Sequence, residues 1–161
     1  MPRITPNLWF DTQAQEAAEF YVSVFPNSTV NTITHYPEGG PGPAGGVLTV
    51  DFELDGQTFT AINGGPQFTF DEAISLLINC KDQAEIDYYW DTLTADGGAE
   101  SQCGWRKDKY GLSWQVVPDG WEKMYADQDT TKVQRAMTAM FGMKRLNLAE
   151  LQAAFDGDNA A

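Results

Sequence analysis

Hydrophobic and polar residues change period repeatedly along this chain, and each change predicts an element. Residues 4–10 alternate as a strand. Ala17, Phe20, Tyr21, Val24 and Phe25 then recur at helical spacing. Thr12 with Gln15 reads as the capping box that opens this helix, and Pro26-Asn27 as its stop. Residues 29–36 are β-rich. Residues 37–46 hold five glycines and three prolines, which predicts a mobile loop. Residues 47–54 alternate strictly, with Leu48, Val50, Phe52 and Leu54 on one side. Asp55-Gly56 is a hairpin signal before a strand over 57–63.

The same order then returns. Residues 73–80 read as a strand, and Asp82 with Glu85 caps a helix whose apolar stripe is Ile86, Tyr89, Trp90 and Leu93. Gly97-Gly98 ends it. Strands are expected near 99–105 and 112–117, with a tight turn at Asp108-Lys109-Tyr110-Gly111 whose charges are expected in solvent. The repetition is also literal. Leu8, Trp9, Phe10, Gln15 and Tyr21 match Leu76, Leu77, Ile78, Gln83 and Tyr89 at a spacing of 68. Gly56 and Phe59 match Gly111 and Trp114 at a spacing of 55. The chain therefore reads as one α+β domain over 1–161, built from two β-α-β-β-β modules over about 3–64 and 73–118. Their strands are expected to form a curved, mixed, mostly antiparallel sheet with the helices outside. A tail over 119–157 has no counterpart in the repeat. It predicts helices at 132–141 and 147–155, the second capped by Asn147 with Glu150. They are expected to cover a sheet edge or a partner subunit.

Alternation also sorts side chains onto two sheet faces. Leu8, Phe10, Phe59, Ala61, Trp114 and Val116 belong to the oily face that packs on the helices. Asn7, Trp9, Thr60, Ser75, Ser113 and Gln115 share the other. A face of this kind is either solvated or lines a cavity. Trp9 and Leu77 favour the cavity, because each large apolar side chain left in water costs roughly 1.5–3 kcal/mol.

Net charge is −13 and the pI near 4.2, which disfavours nucleic acid and anionic membranes as partners. No apolar run reaches membrane-spanning length, and Met1-Pro2-Arg3-Ile4 carries no signal-peptide core. Two cysteines, Cys80 and Cys103, suit a reducing cytoplasm. Cys103 lies near Arg106, Lys107 and Lys109, a basic patch expected at a turn. That neighbourhood could lower a thiol pKa, but a small buried strand residue is the favoured reading. A single histidine, His35, leaves no room for a Ser-His-Asp triad.

The paired β-α-β-β-β modules resemble the vicinal oxygen chelate superfamily of glyoxalase I, extradiol dioxygenases and bleomycin-resistance proteins. The run Gln102-Cys103-Gly104-Trp105-Arg106-Lys107-Asp108-Lys109-Tyr110-Gly111-Leu112-Ser113-Trp114 continues to Pro118 and is similar to the PhnB-like branch. That branch often carries the label 3-demethylubiquinone-9 3-methyltransferase. Thr5-Pro6-Asn7-Leu8-Trp9-Phe10 and Arg135-Ala136-Met137 resemble it too. The resemblance implies a homodimer. It also implies a metal position in each cavity, supplied by His and Glu on equivalent strands. Those positions fall near Asn7, Thr60, Ser75 and Gln115, none a histidine or carboxylate, so no metal and no other cofactor is expected. The methyltransferase label finds no glycine-rich strand-to-helix turn, since residues 39–46 are broken by prolines and precede a strand.

Two functions remain. One is a metal-independent small-molecule binder, its cavities lined by Asn7, Trp9, Thr60, Ser75, Trp105, Ser113 and Gln115, selecting a partly apolar, uncharged or cationic ligand. The other is an enzyme of lyase, isomerase or dioxygenase type that uses Asp51, Glu53 or His35. A methyltransferase is the weaker alternative.

Overall fold

Strict alternation in β3 (Val47–Leu54) buries Val50, Phe52 and Leu54 on one side and leaves Asp51 and Glu53 partly in water. Asp55 and Gly56 both adopt left-handed backbone, with φ of 45° and 83°. This turns the chain directly into β4 (Gln57–Asn63), where Phe59 and Ala61 meet the same core. The computed structural model describes residues 4–158, so the expected start of the first module at Arg3 lies outside the described residues. The chain divides into two units, Met1–Phe70 and Asp71–Ala161.

In the first unit β1 (Asn7–Phe10), α1 (Ala14–Val24) and β2 (Thr29–His35) precede that hairpin. The strands form one sheet in the order β1-β4-β3-β2, with β1 parallel to β4 and the other pairs antiparallel. Helix α1 lays Ala14, Ala17, Ala18, Tyr21 and Val24 into the core, with Tyr21 stacked on Phe52 at 6.3 Å between ring centroids. The second unit repeats the plan. It has β5 (Ser75–Cys80), α2 (Gln83–Thr94), β6 (Ala99–Glu100), β7 (Trp105–Lys107) and β8 (Ser113–Pro118), in the order β5-β8-β7-β6 with the same strand directions. The α+β class, both β-α-β-β-β modules and the helical tail are as expected. The strands make two four-stranded mixed sheets, one in each unit.

Helix α2 follows its sequence closely. Asp82 accepts from the Glu85 amide at 2.9 Å, the Glu85 carboxylate accepts from the Lys81 amide, and Ile86, Tyr89, Trp90 and Leu93 are buried. Helix α1 departs from expectation, because it starts at Ala14 and no side chain of Thr12 or Gln15 caps it. The Asn63 side chain, arriving from β4, accepts the Ala14 amide at 2.8 Å instead. The ladders also correct the second echo. With β1 matched to β5 at 68, Thr60 corresponds to Ser113 and Ile62 to Gln115, so the spacing of 55 lies two residues off register.

Two loops differ as well. The strand expected over 99–105 is split by a turn in which Cys103 and Gly104 take φ of 59° and 81°. Gly104 lies against β8, where an added Cβ would stand 2.7 Å from the Val116 carbonyl oxygen. The loop at 37–46 is held by Tyr36, whose backbone bonds to Gly45 and Gly46 and whose hydroxyl donates to the Asn63 carbonyl at 2.5 Å.

The tail contains three helices, α3 (Trp121–Tyr125), α4 (Thr130–Phe141) and α5 (Leu148–Asp156). The short α3 was not anticipated. Asn147 caps α5 through the Glu150 amide, as its sequence suggests. Among the described residues no helix is long and apolar enough to cross a membrane.

Candidate functional site

Strand β8 carries Trp114 and Val116 toward α2 and Ser113, Gln115 and Val117 toward the opposite face. Val117 packs there with Leu146 and Leu151 of the tail, flanked by Trp121, Met140 and Met143. The crossing from one face to the other is tied at several points. Cys103 and Gly104 amides donate to the Met143 and Lys144 carbonyls, both at 2.8 Å. The Gln83 amide donates to the Leu146 carbonyl at 3.1 Å and accepts from the Leu148 amide at 2.9 Å. Arg145 pairs with Asp87 and Asp91 of α2.

Between the tail and this sheet face lies a cavity of about 910 Å³. Its floor is Trp105, Gln115 and Val117, and its walls include Trp121, Met124, Tyr125, Met140, Leu151 and Phe155. Most of the lining comes from beyond Val117. Trp105 faces Gln115 across the β7–β8 ladder, and Gln115 Nε2 donates to Ser75 Oγ at 2.8 Å. That bond fixes the amide and leaves its carbonyl oxygen as an acceptor without a partner among the described residues. Ser113 is buried and borders a smaller cavity of about 260 Å³, with its hydroxyl 3.4 Å from the Asp71 carbonyl. Four anticipated residues, Ser75, Trp105, Ser113 and Gln115, are thus gathered on one sheet.

The other three sit in the first unit. Asn7 is exposed and lies beside Thr60 in the β1–β4 ladder, and Thr60 donates to Asp51 at 2.8 Å. Trp9 donates to the Gly65 carbonyl at 2.9 Å and meets Phe68 edge-on at 5.0 Å. Gly64 lies so close to the indole that a Cβ there would collide with the ring. The segment at 64–68 therefore covers Trp9.

The basic patch expected at a turn is dispersed. Arg106 is a core residue of β7, 1% exposed. It stacks over Trp90 at 4.9 Å and donates to the Trp90 carbonyl and to Thr94. Burial pulls its guanidinium down to about 10, which leaves it charged at neutral pH. Lys107 pairs with Glu72 at 2.5 Å, and Lys109 lies over the Tyr110 ring. Nothing here activates Cys103, whose thiol burial pushes upward. Cys80 is fully buried and pushed up to about 12 by burial, then by Glu85 and Asp82. Asp108 reverses another expectation. It is buried, not solvated, and accepts from the Tyr110 and Leu112 amides and the Trp114 indole. The Asp108–Trp114 motif shapes the turn into β8.

The donor set does not suit a divalent metal. Among the described residues no three His, Cys, Asp or Glu side chains come together. Asn7, Thr60, Ser75 and Gln115 offer only neutral oxygens and nitrogens, which compensate poorly for stripping water from an ion. S-adenosylmethionine fits no better. The glycine-rich segment joins antiparallel β2 and β3, so no helix N-terminus follows it to receive a charged group.

Paired β-α-β-β-β modules with this strand order have the vicinal oxygen chelate, or glyoxalase-like, fold. Comparison with known proteins agrees. Residues 2–117 match the model of the 3-demethylubiquinone-9 3-methyltransferase family, and the chain belongs to that family. The PhnB protein of Bacillus cereus is 38% identical, with a TM-score of 0.66 over 72% of this chain and 99% of that one. Protein PA1353 of Pseudomonas aeruginosa shares the fold at 19% identity and a TM-score of 0.57, over 73% of this chain and 98% of that one. The fosfomycin resistance protein FosX of Listeria monocytogenes shares it at 13% and 0.53, over 76% and 94%. Among curated proteins none matches. The family match stops at residue 117, so the helices that wall the cavity lie beyond it.

Of the seven residues expected to line a cavity, Trp105 and Gln115 border this one, and the tail residues that wall it were not among them. Strand alternation marks Gln115 directly. Trp121, Met124 and Tyr125 lie on a one-turn helix too short to show a period, and the Met-rich tail was their main signal.

Proposed function

We propose that the protein binds a small, partly apolar, uncharged or cationic molecule without a metal ion, and that the second unit's cavity is where it does so. The observation that carries this is the cavity itself: about 910 Å³, mostly apolar and aromatic, with the Gln115 amide set in its floor by Ser75. Shape, apolar contact and a few placed hydrogen bonds suffice for sequestration. The face of the first unit carrying Asn7, Trp9 and Thr60 is proposed as a second, more polar surface for the same purpose. Titration of tryptophan fluorescence against anionic, neutral and cationic small molecules tests the reading. Gln115→Leu is expected to weaken the best ligand about tenfold, the worth of one lost hydrogen bond to a site left without it. Phosphates or carboxylates binding tightest would overturn it, as would a Gln115→Leu variant that binds unchanged.

The family's name favours a second reading, methyl transfer. Calorimetry with S-adenosylmethionine decides it, and saturable binding would displace the first proposal. We further infer a cytoplasmic homodimer. Two free cysteines suit a reducing compartment, and exposed Leu77 on edge strand β5 and Ile74 just before it offer apolar surface to a second copy. Sedimentation at micromolar concentration would show a monomer if the dimer is wrong.

A further inference from the structure

We infer that the molecule held beneath the tail is a lipophilic organic cation, an aromatic amine or quaternary ammonium. This rests on the cavity being a ligand site. Its rings are those that attract cations best, with Trp105 in the floor and Trp121 and Tyr125 packed edge-to-face at 5.0 Å in the wall. One lining ring already carries a cation of the chain itself, since Lys132 Nζ stands 5.5 Å from the Phe155 centroid.

Charge at the lining points the same way. Glu72 is matched by Lys107, which leaves Asp119 and Asp127 facing one lysine, Lys123. Among the described residues no arginine lines the cavity. Arg106, next in sequence to Trp105, is turned to the other face of the sheet and held by Trp90 and Thr94. The Tyr125 hydroxyl is spent on Met140 Sδ at 3.1 Å, and burial keeps it neutral. An anion would therefore meet aromatic faces and the Asp119 and Asp127 carboxylates, with Lys123 as the one cation of the lining among the described residues. A cation meets the negative face of each ring and a net negative rim.

The discriminating probes are benzyltrimethylammonium, its isosteric neutral carbon analogue neopentylbenzene, and the smaller aryl anion benzenesulfonate, each titrated into the full chain by ligand-observed NMR. The ammonium is expected to bind at least about fivefold tighter than the neutral analogue, with that preference shrinking as salt is raised. Asp119→Asn combined with Asp127→Asn keeps both side-chain shapes and should cut the preference to twofold or less, with a thermal melt confirming that the variant folds. Equal binding of ammonium and neutral analogue would overturn the cation assignment and leave the cavity as a ligand site. So would an unchanged preference in the double variant. Tightest binding of benzenesulfonate would overturn both readings, and so would no binding by any probe.

Discussion

Asp108 shows how one buried carboxylate can shape a whole turn. Its Oδ1 accepts the Tyr110 and Leu112 amides at 2.9 and 3.1 Å, and its Oδ2 accepts the Trp114 indole at 2.8 Å. Asp108→Ala would strand three donors next to the core and is expected to cost about 3 kcal/mol or more, measured by urea unfolding. Asp108→Asn keeps Oδ1 and should cost less. Cys80 gives a pH signature. Its thiol is pushed up from 9.0 to about 12 in the fold, so both states stay protonated below pH 9. Above pH 9 the unfolded chain loses the proton first, and stability is expected to fall by about 1.4 kcal/mol per pH unit. Arg106, pulled down to about 10, works in the opposite sense above pH 10. Melts between pH 8.5 and 10 should therefore show the decline, and Cys80→Ala should flatten most of it.

At the scale of elements, the two copies of the repeat have been put to different uses. Gln15 in α1 only reaches Glu19 on the helix surface. Its counterpart Gln83 in α2 holds the backbone on both sides of Asn147 and so seats α5. Gln83→Ala is expected to cost about 1–2 kcal/mol and to loosen the tail before the sheet unfolds. Hydrogen exchange should report it, with faster exchange in 146–156 and none of that change in β5. Gln15→Ala should be close to neutral. Helix α1 teaches the related lesson that its first turn is satisfied by Asn63, a residue 49 positions away. No local motif could have announced that, because the cap exists only once β4 lies beside the helix.

For the molecule as a whole, the donor set sets an expectation about metals. With the register corrected, the equivalent positions of the two units are Asn7 and Ser75, Thr60 and Ser113, and Ile62 and Gln115, none of them a histidine or carboxylate. Thermal melts with excess EDTA, or with Mn²⁺ or Zn²⁺ at micromolar concentration, are expected to coincide within about 1 °C. A metal-dependent rise of several degrees would show a site that these residues do not explain.

Much of the architecture was legible because it follows from local periodicity. The strict alternation of 47–54, the Asp55-Gly56 turn, the Asp82–Glu85 box and the stripe of α2 each act over a few residues, and each appears where its sequence places it. Duplication then told which elements belong together. The faces of the strands, and with them the placing of Gln115 opposite Trp114 and Val116, came from the same alternation. What tertiary structure alone decided is where distant segments meet. The tail could have lain on an edge or a partner, but the Met143–Leu146 crossing carries it to the face of Gln115 and Val117 and so creates the cavity. Arg106 is charged yet buried, and Asp108 polar yet buried, because Trp90, Thr94 and Trp114 supply partners only in the folded chain. Local pattern records which side of an element faces inward; it does not record what arrives there from elsewhere in the chain.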